Sequence, residues 1–334
     1  MVFVVTSKCN SKCKTCFIWQ HQEGRDKELT LDEYRMIFQN MGKTYWVTVG
    51  GGEPFLREDL LEIILAICDY LKPRIVNIVS NGTLPEKLFY AIHKLTHLYP
   101  NTHFILNLSL DHINEQHDII RGLKGNFDLV FKTAKSLKSI RDFNFSLGIH
   151  SVISKYNLNE FPFIYYWIKE NIQPDFYIIE NAQTREEFIN LKGDFFQKPS
   201  DYLKAVKFYL DKIKSEKMTG INRLKRAFRI AYYNTVKESL LYKKKPYNCY
   251  GAYSSCQVNP DGAVWSCATR GFILGDLRTH NYDFKGLWLS RKANEMRHKI
   301  RQEQCFCHLS NVSYTNILLD PIKLLSVLYN FMRY

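Results

Sequence analysis

Apolar residues in this chain follow two alternating rhythms over roughly the first 180 positions. Short runs of consecutive β-branched or aromatic residues are separated by longer stretches in which apolar side chains recur every three or four residues. The first rhythm predicts buried strands over 2–6, 45–49, 74–79, 103–110, 145–153 and 175–180. The second predicts helices over 31–41, 57–71, 86–98, 126–140 and 158–170, with Leu60, Leu61, Ile64, Leu65 and Cys68 marking one apolar face. Thr30 followed by Glu33 reads as a capping box that opens the first helix. Strand and helix units in this order imply an α/β fold with a parallel sheet, curved into a partial (β/α)6, TIM-like barrel.

Polar and glycine clusters fall at the strand ends. Cys9, Cys13 and Cys16 follow the first strand, Gly50 to Pro54 the second, Ser80–Asn81–Gly82 the third, and Ser109 with Asp111 the fourth. In a barrel of this kind the loops after the strands share one mouth, so these clusters are expected to converge there. Three thiolates on one tight loop can hold three irons of a cubane cluster and leave the fourth open to a small molecule. Glycines at 51 and 52 would let a ligand approach the backbone closely, and Glu53 and Arg121 could pair with an ammonium and a carboxylate. Taken singly, each feature has a plainer reading. A three-cysteine loop can be part of a zinc site, and Glu53 can simply cap a helix start. His117 and Asp118 can be loop residues, His150 a core histidine, and Cys68 a packing residue.

Composition narrows the setting. A chain of 334 residues with 46% hydrophobic content is long enough for a large core. No apolar run is long enough to span a bilayer. The cysteine loop starts at residue 9, leaving no room for a secretory signal ahead of it, so a cytoplasmic location is expected. In a reducing compartment nine cysteines point to metal binding rather than disulfides. The net charge of +13 suits an anionic partner.

The motifs together resemble the radical S-adenosylmethionine (radical SAM) superfamily. SKCNSKCKTCF is similar to its CxxxCxxC cluster loop, Gly51-Gly52-Glu53-Pro54 to its GGEP turn, and LSLDHINEQHDIIRG to the segment after its fourth strand. The resemblance covers residues 1–180. It implies an oxygen-sensitive [4Fe–4S] cluster on Cys9, Cys13 and Cys16. It also implies S-adenosylmethionine bound near Gly51, Gly52, Glu53, Asn81, Ser109, Asp111 and Arg121. The family places an aromatic residue before the third cysteine; Thr15 stands here, with Phe17 following, so the adenine contacts do not carry over.

The C-terminal third resembles the twitch or SPASM extension of the same enzymes, which implies an α+β domain holding a second, auxiliary [4Fe–4S] cluster. Cys256 to Val264 reads as a hairpin with a Pro-Asp-Gly turn, and residues 285–303 as helical. Cys249, Cys267, Cys305 and Cys307 are the favoured ligands. Cys256 or His308 is a substitute, because Cys305-Phe306-Cys307 is one residue shorter than the family's spacing. The resulting division is a barrel core (1–182), a helical bridge (183–245), the auxiliary-cluster domain (246–310) and an apolar tail (311–334).

In the bridge, Leu203, Val206, Leu210 and Ile213 keep helical spacing, while Arg223, Lys225, Arg226 and Arg229 charge a second helix. The plain reading of that helix, and of Lys243–Lys245, is a solvated surface. The tail carries Ile322, Leu324, Leu325, Val327, Leu328, Phe331 and Met332, for which packing on the barrel is favoured over surface attachment. The expected activity is reductive cleavage of S-adenosylmethionine to a 5′-deoxyadenosyl radical that abstracts hydrogen from substrate. The expected partners are a ferredoxin- or flavodoxin-type electron donor and a small-molecule or lipid-precursor substrate, with a peptide less favoured and transient membrane-surface contact left open. The competing reading is a non-catalytic iron–sulfur or zinc protein that binds nucleic acid through its basic helices.

Overall fold

The computed structural model describes residues 1–20, 27–303, 305 and 307–334. Six parallel strands form its centre: β1 (Val2–Thr6), β2 (Trp46–Gly51), β3 (Ile75–Ser80), β4 (His103–Ser109), β5 (Phe145–Ile153) and β6 (Phe176–Asn181). The intervening helices are α1 (Leu31–Met41), α2 (Leu60–Ala66), α3 (Pro85–Leu98), α4 (Asn114–Arg121), α5 (Asn126–Leu137) and α6 (Phe161–Asn171). Side chains alternate along the strands as the pleat requires. Phe104, Leu106 and Leu108 of β4 are fully buried in the main hydrophobic core, whereas Ile105, Asn107 and Ser109 line an interior cavity.

The capping box forms as expected: Thr30 Oγ1 accepts from the Glu33 amide, and the Glu33 carboxylate accepts from the Thr30 amide. Two expectations need correction. The helix expected over 57–71 starts later, because Glu53 first caps a separate turn at Pro54–Leu56, and it ends in a π-helical turn at Ile67–Leu71. His117 and Asp118 are not loop residues; they lie on α4, whose short span hides its periodicity in the sequence.

The bridge consists of α7 (Pro199–Ser215) and α8 (Ile221–Tyr242). It covers β6, an outer strand whose free edge would otherwise leave backbone groups unpaired. The Tyr233 hydroxyl accepts from the Ile179 amide and donates to the Ile179 carbonyl, both at 2.9 Å, and Tyr209 donates to the carbonyl of Tyr177. The expected solvated basic face is also corrected. Arg226 is buried and donates to the carbonyls of Glu216 and Tyr334, and Arg223 donates to the Phe331 carbonyl at 2.8 Å. Lys245 leaves the solvated run as well, closing on the carbonyls of Ile300 and Arg301.

The C-terminal third extends the barrel's own sheet. Strand β7 (Gln257–Val258) runs parallel to β1, and β8 (Ala263–Cys267) and β9 (Phe272–Asp276) follow antiparallel. The resulting nine-stranded order is β6-β5-β4-β3-β2-β1-β7-β8-β9. Short α9 (Phe284–Trp288) and α10 (Arg291–Gln302) precede the last cysteines, then α11 (Ser310–Leu319) and α12 (Pro321–Arg333) complete the chain. Helix α12 packs on α8 through Leu324, Val327 and Phe331. Among the described residues no helix is long and apolar enough to cross a membrane.

Candidate active site

The cysteine loop is fastened from three sides. The amides of Lys12 and Lys14 donate to the carbonyls of Arg121 and Ile120 at the end of α4, each at 2.9 Å. Gly122 makes that approach feasible: its φ is +61°, and a Cβ there would stand 2.3 Å from the Lys12 carbonyl oxygen. From the β3 end, Asn81 Nδ2 donates to Asn10 Oδ1 (2.7 Å) and Ser11 Oγ (3.1 Å). From the β2 end, the amides of Gly52 and Glu53 donate to the carbonyls of Thr6 and Lys8. A Cβ on Gly51 would meet Thr6 O at 2.3 Å, and one on Gly52 would meet Lys8 O at 2.2 Å. The two glycines are therefore required by chain packing as well as by any ligand.

Glu53 stands behind this wall. Its carboxylate accepts from the Asn81 amide (2.6 Å), Ser80 Oγ (2.9 Å) and the Phe55 amide (3.1 Å), and it has no exposed surface. Burial pushes its carboxyl up to about 7, against these hydrogen bonds. Asp111 is similarly buried, pairing with Arg121 Nε at 2.9 Å and accepting from the Val152 amide at 2.7 Å. Arg121 in turn reaches Cys13 Sγ at 3.6 Å. Burial works against its charge, but Asp111 and Cys13 outweigh that cost and keep it cationic. His117 Nδ1 accepts from the Asp111 amide, and Asp118 caps α5 through the amides of Gly125 and Phe127, so both serve the scaffold.

All three loop thiols are free and face a cavity of about 1180 Å³, together with Gly51, Gly52, Asn81, Ser109 and Arg121. Burial pushes the Cys9 thiol up to about 11 and raises Cys16 as well, with neighbouring thiols adding to both shifts. Bare thiolates are thus disfavoured at this spot, and a cationic iron cluster is the partner that reverses the balance. The donor set and the glycine-lined backbone fit a cluster carrying a small zwitterionic ligand. Thr15 also lines the cavity, its carbonyl held by Asn190 Nδ2 at 2.7 Å.

The same cavity reaches Cys249, Cys267, Cys305 and Cys307. These four come from three separate segments yet sense one another: burial pushes Cys267 up to about 12, and both Cys307 and Cys249 add to it. Amides of Gly251 and Leu309 donate to the sulfurs of Cys249 and Cys307 at 3.4 and 3.3 Å. Cys256 stands apart, its Sγ 3.3 Å from Met1 Sδ where β7 joins β1. His308 Nδ1 lies 2.6 Å from Gln183 Nε2. Among the described residues no three His, Cys, Asp or Glu side chains crowd one point as a single metal ion would require; a cubane spreads its ligands over separate irons.

One group of residues is absent from the sequence motifs. His150 faces the cavity, its Nε2 3.6 Å from Glu180 Oε2. Arg185 joins Glu180 (3.3 Å) to Glu187 (3.4 Å), and the Ser310 amide donates to Glu180 Oε1 at 2.8 Å. Burial drives His150 toward its neutral form despite the facing carboxylates of Glu180 and Asp111. Glu180 was visible in principle, since it ends β6 as the other polar residues end their strands. Arg185 and Glu187 carried no signal, because only folding brings their loop to the mouth.

Comparison with known proteins agrees with this geometry. The profile of the Radical SAM superfamily matches residues 3–165, and that of the SPASM iron-sulfur cluster-binding domain matches residues 249–308. The chain is 27% identical over 194 residues to an Fe-coproporphyrin III synthase of Methanosarcina barkeri, covering 57% of this chain and 46% of that protein. It is 26% identical to an AdoMet-dependent heme synthase of the same organism, covering 85% of this chain and 80% of that one. The chain thus spans about half of the first relative and most of the second. Among solved structures, native anSMEcpe with bound AdoMet superposes with a TM-score of 0.65 at 19% identity, over 99% of this chain and 96% of that one. Streptococcus suis SuiB gives 0.60 at 14% identity, over 89% and 67%. These likenesses establish the shared fold. With its cysteine loop and glycine turn on the barrel mouth and a second cysteine set across the same cavity, the chain is an enzyme of the radical SAM superfamily with a SPASM-type iron–sulfur domain.

Proposed function

We propose that this enzyme reductively cleaves S-adenosylmethionine at Cys9, Cys13 and Cys16 and removes a hydrogen atom from a substrate held between its two cysteine sets. When bound, the reduced cluster supplies the electron that breaks the sulfonium C–S bond, and the protein contributes orientation and exclusion of water. The Gly51–Gly52 backbone forms the cradle for the amino-acid end of the nucleoside, with Glu53 and Asn81 fixing the turn and the loop. Arg121, held by Asp111, offers a guanidinium to a carboxylate, and Ser109 faces the ribose. Cys249, Cys267, Cys305 and Cys307 would hold an auxiliary cluster, leaving Cys256 as packing.

Substrate belongs on the β5–β6 side, where His150, Glu180 and the Arg185 pair supply polar contacts. A small molecule is the favoured class, because the cavity opens inside the barrel between the two cysteine sets. Both anSMEcpe and SuiB have been solved with a bound peptide, so a peptide terminus entering the mouth is the second reading. An external one-electron donor of ferredoxin or flavodoxin type is required to reduce the cluster.

The observation that carries the proposal is that both cysteine sets open into one cavity. The test is anaerobic reconstitution, reduction and addition of S-adenosylmethionine, with release of 5′-deoxyadenosine as the expected result. Purified protein that binds zinc, yields no deoxyadenosine and retards RNA in a salt-dependent way would overturn it.

A further inference from the structure

The outer side of α12 has a composition unlike that of an ordinary solvent-facing helix. Its exposed positions are Pro321, Ile322, Leu325, Leu328, Tyr329, Met332 and Arg333. Ile322 is 76% exposed, Leu325 64% and Met332 73%. At 100° per residue the five large side chains cover roughly a third of the helix circumference. The opposite side, with Leu324, Val327 and Phe331, is already satisfied by α8. Leu318 and Leu319 prolong the exposed stripe onto the end of α11. A contiguous apolar surface of this kind normally has an occupant.

The surrounding charge indicates which occupant. No acidic residue is exposed along α12, and its start is capped internally by Asp320, which accepts from the amides of Ile322 and Lys323. At the other end of the stripe, Lys214, Lys217, Arg223 and Arg333 line an open basin. Among the described residues its one carboxylate side chain is Glu216, which is already paired with Lys169 at 2.7 Å. With Arg226 also in its lining, the basin therefore carries a cationic excess over its carboxyl groups. An apolar stripe beside clustered cations is the arrangement that lets a helix lie in the headgroup layer of an anionic bilayer. A second copy of the chain would present the same cations, and is the poorer match on charge.

We propose that the α11–α12 face docks this enzyme reversibly onto anionic phospholipid membranes. Ile322, Leu325 and Met332 enter the acyl boundary, and the Lys214–Lys217–Arg333 basin takes lipid phosphates. The docking itself depends on surface chemistry alone and stands or falls independently of the reaction.

The test uses the full chain with its clusters reconstituted under anaerobic conditions. It is floated with vesicles of phosphatidylcholine alone or of phosphatidylcholine with phosphatidylglycerol. Wild type is expected to float with the anionic vesicles and to be released by salt. Leu325→Asp with Met332→Asp should weaken that binding by about tenfold or more. Lys214→Glu with Lys217→Glu should weaken binding to anionic vesicles while leaving the stripe intact. Unchanged iron content and far-ultraviolet circular dichroism verify that each variant is folded. Absence of flotation, or equal flotation of wild type and the Asp variant, overturns the proposal. So does a wild-type dimer that the Asp variant converts to monomer without any vesicle binding, which would assign the stripe to a second copy.

Discussion

The two cysteine sets face one cavity but are built in opposite ways. Cys9, Cys13 and Cys16 lie on one short loop, and the fold's task is to hold that loop rigidly from β2, β3 and α4. Cys249, Cys267 and the Cys305–Cys307 pair come from three points of a long segment, and the fold's task is to bring them together. The first arrangement leaves one side of the loop open to the cavity, as an iron that must bind a ligand needs. The second surrounds its site with thiols, which suits a cluster that is closed. Three thiols on one loop suit a reactive site; four gathered from three segments suit a cross-link.

That contrast predicts the largest effect. Cys13→Ala should abolish 5′-deoxyadenosine formation, a loss of at least about a thousandfold given that a missing ligand removes the cluster. Iron bound per chain should fall by about half, because the other set is untouched. Cys267→Ala should show the reverse pattern: a similar loss of iron with deoxyadenosine formation kept within a few-fold, together with a lower melting temperature. Equal loss of deoxyadenosine in both variants, measured by chromatography beside iron analysis, would show that the two sets do not function separately.

Gly52→Ala tests how rigidly the loop is held. The added Cβ would stand 2.2 Å from the Lys8 carbonyl oxygen, so backbone must move on one side or the other. The expected cost is about 2–4 kcal/mol, seen as a reduced denaturation midpoint, with a matching loss of iron from the first set alone. Gly251, two residues after Cys249, is expected to be less sensitive to one methyl group, since its nearest neighbour stands at 3.4 Å.

Cys256→Ala separates ligand from neighbour within the second set. Cys256 packs against Met1, and its thiol is raised by burial with none of the four proposed ligands contributing. The variant should therefore keep its full iron content and lose only about 1–2 kcal/mol of packing. If iron is lost, Cys256 belongs to the set and one of Cys305 and Cys307 does not.

What the sequence disclosed follows the same division. Strand and helix periods, the Thr30–Glu33 box and the cysteine loop are all local, so they could be read directly from residue spacing. The β3-end Asn81 and the β4-end Ser109 were found because strand ends share a mouth. His150 was legible as a strand histidine, but its grouping with Glu180, Arg185 and Glu187 was not, because they meet only through the pairing of β5 with β6 and the return of the following loop. The backbone contacts of Arg223 and Arg226 were missed for a related reason: charge looks like surface until a partner carbonyl is placed beside it. Helix α4 escaped because eight residues give barely two turns of periodicity, and the residues it carries had been read as a motif.

The smallest effect concerns the seam between the two halves. Glu33 does double duty, since besides closing the capping box it accepts from Arg278 Nε (2.6 Å) and Nη2 (3.0 Å) and from the Tyr282 hydroxyl (2.9 Å). Arg278 also donates to the carbonyls of Lys27 and Asp261, so one guanidinium fastens α1 to the β8–β9 hairpin without any iron. The Arg278 hydrogen bonds hold the Glu33 carboxyl down at about 2, against an ordinary 4.5. The charged form is the one the fold favours, so the stability it adds is fully present above 4.5 and disappears as pH falls toward 2. The pair is only partly exposed but stays within reach of water, and its worth is expected to be about 1 kcal/mol. Glu33→Gln should therefore lower the urea midpoint slightly at neutral pH, with the gap to wild type closing as the solution is acidified through 4.5. The comparison is best made on metal-free protein, because acid also strips iron from thiolates. A gap that stays constant through that range would mean the halves are joined by packing alone, and that the ordering of the second cysteine set owes nothing to this clasp.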